Sequence, residues 1–317
     1  MKRLGIIGTM VWDTIYGRGD SAEPVEEWGG IAYALAALEV SLPADWEMVP
    51  LIKVGQDLAS RANAFLHRLT HRSAAARFIE VPEPNNRVTI RYQAANRRAE
   101  QLRGGVPAWE WHELGPLVTD LDALYVNLIS GFELTLETAQ RLRSGFAGPT
   151  YVDLHSLFLA VRADGLRTPR ELPDVTEWFA CFDAVQVNED ELGLIGDEPL
   201  QVAAAAMERG VRLLVVTLAE RGAVYFVEGD FDFLNVRTQL RPARYPVRTA
   251  KVAAPAVDVR DPTGCGDVFG GAMVGQLVQQ VDVETAIREA TALASRNVQF
   301  RGATNLQYSL RGAIIPT

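Results

Sequence analysis

The sequence predicts an α/β fold, doubly wound, with a mostly parallel central sheet flanked by helices. Two patterns and one bulk property predict it. Short β-rich apolar runs alternate along the chain with longer segments whose apolar residues recur three and four positions apart. Most of the short runs are apolar on both faces, as strands covered by helices on two sides must be. With 317 residues, of which 48% are apolar and 22% charged, the chain has the length and composition of one large folded domain, so residues 1–317 are read as a single unit.

The first strand is Leu4–Val11. The start Met1-Lys2-Arg3 ahead of Leu4–Trp12 imitates a secretory signal, but Asp13 interrupts the apolar stretch and no small-residue cleavage site follows. Ile31–Val40 has helical spacing, Met48–Val54 reads as the next strand, and Leu58–Leu69 as the next helix. After Pro82 and Pro84 the rhythm breaks. Val88, Ile90 and Tyr92 alternate with Arg87, Thr89, Arg91 and Gln93, Ala94-Ala95-Asn96 turns the chain, and a polar stretch runs on to Gly104-Gly105. That is a hairpin with one wet face. Together with the two-faced stretch Val11–Tyr16 it can form a small sheet outside the main one, a β-sheet lid over approximately residues 11–28 and 85–105; an edge hairpin on the main sheet is the other reading. A sheet that small is marginal unless its apolar face is covered, by closure over a substrate or by the same sheet of a second copy, so a lid and a homodimer through it are both expected. Farther on, Ala123–Asn127, Tyr151–Asp153, Ala184–Asn188 and Leu213–Thr217 read as strands, and Leu136–Ser144, Leu200–Arg209, Val268–Gln280 and Val283–Val298 as helices.

The 31 Lys and Arg residues against 40 Asp and Glu give a net charge of −9, which argues against nucleic acid or an anionic membrane as main partner. Cys181 and Cys265 are too few and too far apart for a disulfide scaffold or a thiolate metal site, and a reducing cytoplasm is expected. Nowhere do about 18 apolar residues run without interruption, as a membrane span requires.

The segment that carries chemistry is Asp261-Pro262-Thr263-Gly264-Cys265-Gly266-Asp267, running directly into a helical pattern. Gly264 and Gly266 allow a tight turn whose successive N–H groups point outward at a helix N-terminus, a place that favours an anion. The Lys-Ser/Thr ending of a P-loop is missing, and Gly5-Ile6-Ile7-Gly8 lacks the last glycine of a dinucleotide fingerprint, so both of those nucleotide sites are excluded. Asp267 stands in the first turn of the helix, where an aspartate can serve as a base or simply cap the helix.

This segment resembles the signature Asp-Thr-x-Gly-Ala-Gly-Asp of the ribokinase-like (PfkB) family of carbohydrate and nucleoside kinases. Other family landmarks follow in register. Gly29-Gly30 opens a helix, Asn188-Glu189-Asp190-Glu191 is similar to an Asn-x-x-Glu element, Thr217-Leu218-Ala219-Glu220-Arg221-Gly222 to a Thr-Leu-Gly-x-x-Gly turn, and Gly302-Ala303 to a late Gly-Ala. The resemblance implies an ATP-dependent kinase, a transferase acting on a primary hydroxyl of a sugar, sugar derivative or nucleoside. Asp267 would be the base, with the backbone of Gly264, Cys265, Gly266 and Asp267 as anion hole. Asn188 and Glu191 would arrange Mg²⁺ through water, and Thr217, Ala219 and Gly222 would lie beside the nucleotide. Asn188 and Glu191 also fit a helix-start capping box. Asp13, Gly29, Gly30 and Asp153 would hold the acceptor, Asp13 by accepting from two neighbouring hydroxyls. A monovalent cation, potassium, is implied near Asp261 and the Arg301–Gly302 turn.

Some residues depart from the family pattern. Gly29-Gly30-Ile31-Ala32-Tyr33-Ala34 has no Asn where sugar kinases of the family often read Gly-Gly-x-x-x-Asn, which puts ribose in doubt. Tyr151-Val152-Asp153-Leu154-His155 stands where many members carry Asp-x-Asn, and His155 is read as structural. Cys265 is read as a small filler, and Arg97, Arg98 and Arg103 as a solvated run. Trp12, Tyr16, Trp28 and Tyr33 fit stacking on a base or sugar, and lid packing or a dimer contact equally well. A non-catalytic sugar- or nucleotide-binding relative is the alternative function, because a fold alone does not assign activity.

Overall fold

The computed structural model describes residues 1–16, 23–94, 97–239 and 246–312. Strand β1 (Lys2–Ile7) is followed by β2 (Met10–Tyr16) and β3 (Val25–Gly30), which leads straight into α1 (Ile31–Ser41). β4 (Trp46–Leu51), β5 (Lys53–Gly55), α2 (Ala59–Leu66) and β6 (Ile79–Val81) precede a hairpin of β7 (Arg87–Ala94) and β8 (Arg97–Arg103). Next come α3 (Trp111–Val118), β9 (Ala123–Asn127), α4 (Leu136–Gly145), β10 (Thr150–Asp153) and a short hairpin of β11 (Leu159–Val161) and β12 (Arg167–Pro169). α5 (Val175–Ala180), β13 (Ala184–Asn188), α6 (Glu189–Ile195), α7 (Pro199–Glu208), β14 (Leu213–Thr217), β15 (Ala223–Glu228) and β16 (Val247–Val252) follow. α8 (Cys265–Leu277), α9 (Val283–Asn297) and α10 (Leu306–Arg311) come last.

The main sheet has eight strands in the order β16-β15-β14-β13-β10-β9-β1-β4, with only β15 antiparallel to its neighbours. Because strand side chains alternate, each strand feeds two cores. Leu4, Ile6, Tyr125 and Tyr151 pack on one side of the sheet, and Ile7, Leu124, Val126 and Val152 on the other. The register sets Asp153 beside Asn127 and Asn188 beside Thr217, so four polar residues end their strands at one edge of the sheet. In open α/β sheets this carboxyl edge is where ligands bind.

Residues 31–39 of α1 are all buried, as expected of a helix that is apolar nearly all round. Glycines of α8 let it lie close. A Cβ on Gly271 would come within 2.6 Å of the Ala34 carbonyl oxygen, and one on Gly275 within 2.2 Å of Ser41 Oγ. This contact clamps the start of α8, and with it Asp267, above the sheet edge.

The hairpin does leave the main sheet. A separate four-stranded sheet runs β3-β2-β7-β8, with β2 and β7 parallel. The turn expected at Ala95–Asn96 lies outside the described residues, as do residues 17–22 of the expected lid segment. The apolar run Leu4–Val11 is in fact shared between two sheets. The chain quits the main sheet after Ile7, and the Ile31 N–H closes onto the Thr9 carbonyl at 3.0 Å. Val88, Ile90 and Leu102 are buried in the same core as α1, so their own chain covers this face and the argument for a second copy loses its reason. The sequence reading also passes over β15 and β16. Strand β16 is exposed at Val247, Arg248, Thr249 and Lys251, and such an edge strand has little apolar periodicity. Among the described residues no helix is long and apolar enough to cross a membrane.

Candidate active site

The loop from Asp261 to Asp267 is folded by its own side chains. Asp261 Oδ1 accepts from the Thr263 N–H at 2.9 Å and from Thr263 Oγ1 at 2.6 Å, and Asn297 Nδ2 of α9 donates to the Thr263 carbonyl at 2.9 Å. Gly264 then turns the chain with φ +76 and caps α8, a conformation that suits glycine. The Cys265 N–H turns back to the Pro262 carbonyl at 3.3 Å, so of the four amides expected in the anion hole this one has an internal acceptor. Cys265 Sγ receives Asn297 Nδ2 at 3.3 Å and lies 3.8 Å from the Ala294 carbonyl oxygen, in keeping with a side chain that fills the space beside α9.

Asp267 is aimed by the sheet edge. Asn127 Nδ2, at the end of β9, donates to Asp267 Oδ1 at 2.8 Å and also lies 3.1 Å from the Tyr125 hydroxyl. Beneath the loop, Gln186 of β13 joins Asp153 to the anion turn: its Nε2 donates to Asp153 Oδ2 at 2.7 Å and to the Gly266 carbonyl at 3.1 Å, while Tyr151 OH donates to its Oε1 at 2.9 Å. Asp153 is buried, and burial raises its pKa well above the usual carboxylate range; Glu191 and Asp267 add to this, and His155 opposes it. Asp153, expected to hold acceptor, therefore braces the loop in this structure. Gln186 was missed from sequence, although a Gln inside an otherwise apolar buried strand is itself a signal.

At the end of β13, beside β14, the expected capping box forms. Glu191 N–H donates to Asn188 Oδ1 at 2.9 Å, and Glu191 accepts from the Asn188 N–H at 2.8 Å and from Asn188 Nδ2 at 2.6 Å. His155 Nδ1 lies 3.3 Å from Glu191 Oε1. Burial alone would lower the His155 pKa, but the hydrogen bond and charge of Glu191, with Asp153 and Asp267, raise it to about 9, so the ring is a cation at neutral pH. His155 thus belongs to the acidic end of the sheet rather than to the scaffold alone. Thr217 pairs with Asn188, and the turn after it has Ala219 at φ +50 and Gly222 at φ +93. A Cβ on Gly222 would come within 1.9 Å of the Val252 carbonyl oxygen, so the turn can lie this close to β16 only with glycine. Arg221 forms an ion pair with Glu189 across the gap between the two landmarks.

On the small sheet, Asp13 is buried and its Oδ2 occupies the space that a Cβ on Gly29 would need, 1.7 Å away. Gly30, at φ +58, redirects the chain into α1. Trp12 and Trp28 meet edge to face at 5.0 Å, so they pack on each other. Tyr92 of β7 reaches the loop, its hydroxyl donating to Asp261 Oδ1 at 2.7 Å and lying 2.9 Å from Thr263 Oγ1. The Arg301–Gly302 turn packs on β3, where the Ala303 N–H donates to the Trp28 carbonyl at 2.9 Å. Arg103 is exposed, and the side chains of Arg97 and Arg98 lie outside the described residues.

Comparison with known proteins agrees with this fold. Residues 154–309 match the pfkB family of carbohydrate kinases. A ribokinase of Arabidopsis thaliana is 28% identical over 140 residues, 42% of this chain and 33% of that protein, so the matched stretch spans a third of the relative's length. A solved ribokinase of Thermotoga maritima superposes with a TM-score of 0.66 at 18% identity, covering 98% of each chain. A pyrophosphate-dependent kinase in the ribokinase family, complexed with a pyrophosphate analogue and myo-inositol, superposes with a TM-score of 0.73 at 15% identity, over 98% of this chain and 100% of that one. Residues 154–309 carry the match to the pfkB family, and the chain as a whole has the ribokinase fold.

Proposed function

We propose that this protein transfers the terminal phosphate of ATP to a primary hydroxyl of a neutral sugar, sugar derivative or nucleoside. The observation that carries the reading is Asp267: a carboxylate in the first turn of α8, one residue beyond Gly266, with one oxygen held by Asn127 at 2.8 Å. In this reading Asp267 takes the proton of the acceptor hydroxyl, and the helix-start amides of Gly266 and Asp267 hold the charge that develops on the transferred group. Asn127 fixes the carboxylate so that no reorientation is needed at the moment of reaction, and Gln186 fixes the turn.

Asn188 and Glu191 offer the oxygen donors that Mg²⁺ prefers. Because the Glu191 carboxylate already accepts from Asn188, the pair fits the water shell of the ion rather than the ion itself. Bound Mg²⁺ would neutralise phosphate charge. Asp261 Oδ2 is buried without a hydrogen-bond partner among the described residues, and a monovalent cation such as potassium fits that oxygen. Thr217, Ala219 and Gly222 form the turn that would take the nucleotide, and Asp13, Gly29 and Gly30 the acceptor side, under the small sheet as lid.

The direct test is phosphate transfer from ATP, and from pyrophosphate as a second donor, across a panel of neutral polyols, sugars and nucleosides. Failure of all of them with either donor would sink the reading. Glu191→Gln is expected to raise the Mg²⁺ concentration for half-maximal activity by roughly 10-fold or more, since partners of a metal's outer shell commonly contribute that much. The acceptor KM should move less. An unchanged Mg²⁺ titration would leave Glu191 only its capping role.

A further inference from the structure

Tyr33 lies between the two halves of the site. It belongs to the first turn of α1, and its ring lies against the anion turn: a Cβ on Gly264 would come within 2.3 Å of the ring's Cγ and 2.4 Å of both Cδ atoms. The side chain is 1% exposed, and its hydroxyl is buried with no hydrogen-bond partner among the described residues. Buried hydroxyls are almost always paired, so an unpaired one beside a site points to a ligand atom that completes it. Burial, followed by the charges of Asp13, Asp261 and Asp267, holds its pKa well above the ordinary tyrosine value, so it remains a neutral donor.

The neighbouring chemistry is one-sided. Asp13, Asp261 and Asp267 offer acceptor oxygens, and Tyr33 adds a donor to them. Ala34, at the position where an Asn often stands in sugar kinases of the family, sits where α1 crosses α8, and its side chain carries no polar atom. An acceptor molecule whose hydroxyls donate to Asp13 and Asp267 still needs a donor for one of its own oxygens.

We propose that Tyr33 is a specificity-determining residue of the acceptor site, its hydroxyl donating to a ring or hydroxyl oxygen of a neutral polyol. The proposal rests on the acceptor site assigned above. It also disfavours an acceptor that sets a phosphate or carboxylate beside Tyr33, because such a group would lie among the carboxyl groups of Asp13, Asp261 and Asp267. Tyr33 is closed to solvent at 1% exposure, so the proposal requires that the small sheet, which carries Asp13 and Gly29, draw away from α1 for the acceptor to reach it.

The test uses the full chain and Tyr33→Phe, which keeps the ring against Gly264 and removes only the hydroxyl. Binding of neutral polyols and their mono-deoxy analogues is measured by calorimetry without donor, alongside turnover. Tyr33→Phe should weaken binding of the preferred polyol about 3- to 10-fold, as loss of one neutral hydrogen bond does, and raise its KM more than it lowers kcat. One mono-deoxy analogue, lacking the oxygen that Tyr33 contacts, should bind both proteins alike. The Tm should not fall, since no intramolecular bond is lost. Equal polyol affinity in the two proteins would overturn the assignment of Tyr33 while leaving the kinase reading intact. Wild-type protein that binds a neutral polyol but never phosphorylates it would overturn the kinase reading, and the affinity comparison would still decide Tyr33. If the wild type bound no neutral polyol, or preferred an anionic one, the proposal would fall.

Discussion

Asp267→Asn is expected to lower kcat by roughly 10²- to 10⁴-fold, the usual contribution of a positioned general base, with ATP affinity nearly unchanged. The substitution is close to isosteric, and the carboxamide oxygen can still accept from Asn127 Nδ2, which lies 2.8 Å from the carboxylate in the native chain. The helix start and the Gly264–Gly266 turn are therefore retained, and the change removes the proton acceptor alone. The measurement is single-turnover phosphate transfer, with donor binding followed separately. A variant that keeps more than about a third of wild-type turnover while chemistry limits the rate would take Asp267 out of the reaction and leave it as a helix cap.

Asp13→Ala should act on the other substrate. Loss of a charged hydrogen-bond partner costs about 1.5–3 kcal/mol, or roughly 10- to 150-fold in acceptor affinity. The nucleotide should bind as before, because Asp13 stands on β2 of the small sheet while Asn188 and Thr217 end strands of the main one. Gly29 gives the prediction its structural basis: the bare Cα leaves the space that Asp13 Oδ2 fills, so the two residues form one feature of the site. Calorimetry showing the acceptor bound equally well to the variant would move the acceptor pocket elsewhere.

Much of this protein could be read from local pattern. The alternation of apolar runs with helical spacing yielded the central sheet, because a strand buried on both faces and a helix packed on it leave different periods in the sequence. The Gly264–Asp267 turn was legible because a tight turn at a helix start needs glycine whatever surrounds it, and Asn188 with Glu191 because a capping box is a contact between residues three apart. The hairpin's wet and dry faces were legible too, but they fit an edge of the main sheet as well as a separate one, and the parallel pairing of β2 with β7 decides for the latter.

What the sequence could not determine were the contacts that join distant segments. Asn127 and Asp267 are 140 positions apart, and only the packing of α8 over the sheet edge makes them partners. Gln186 gains its meaning from bridging Asp153 and Gly266, and His155 its raised pKa chiefly from Glu191, with Asp153 and Asp267 adding to it. The end of β1 at Ile7 was hidden because both sheets bury the run that crosses between them, and periodicity carries no mark of which sheet a residue joins. Types of side chain and short-range turns follow from local sterics and are written into the chain. The orientation, pairing and ionisation of the same side chains depend on the field and packing of residues brought in from elsewhere, and these exist only once the tertiary structure has formed.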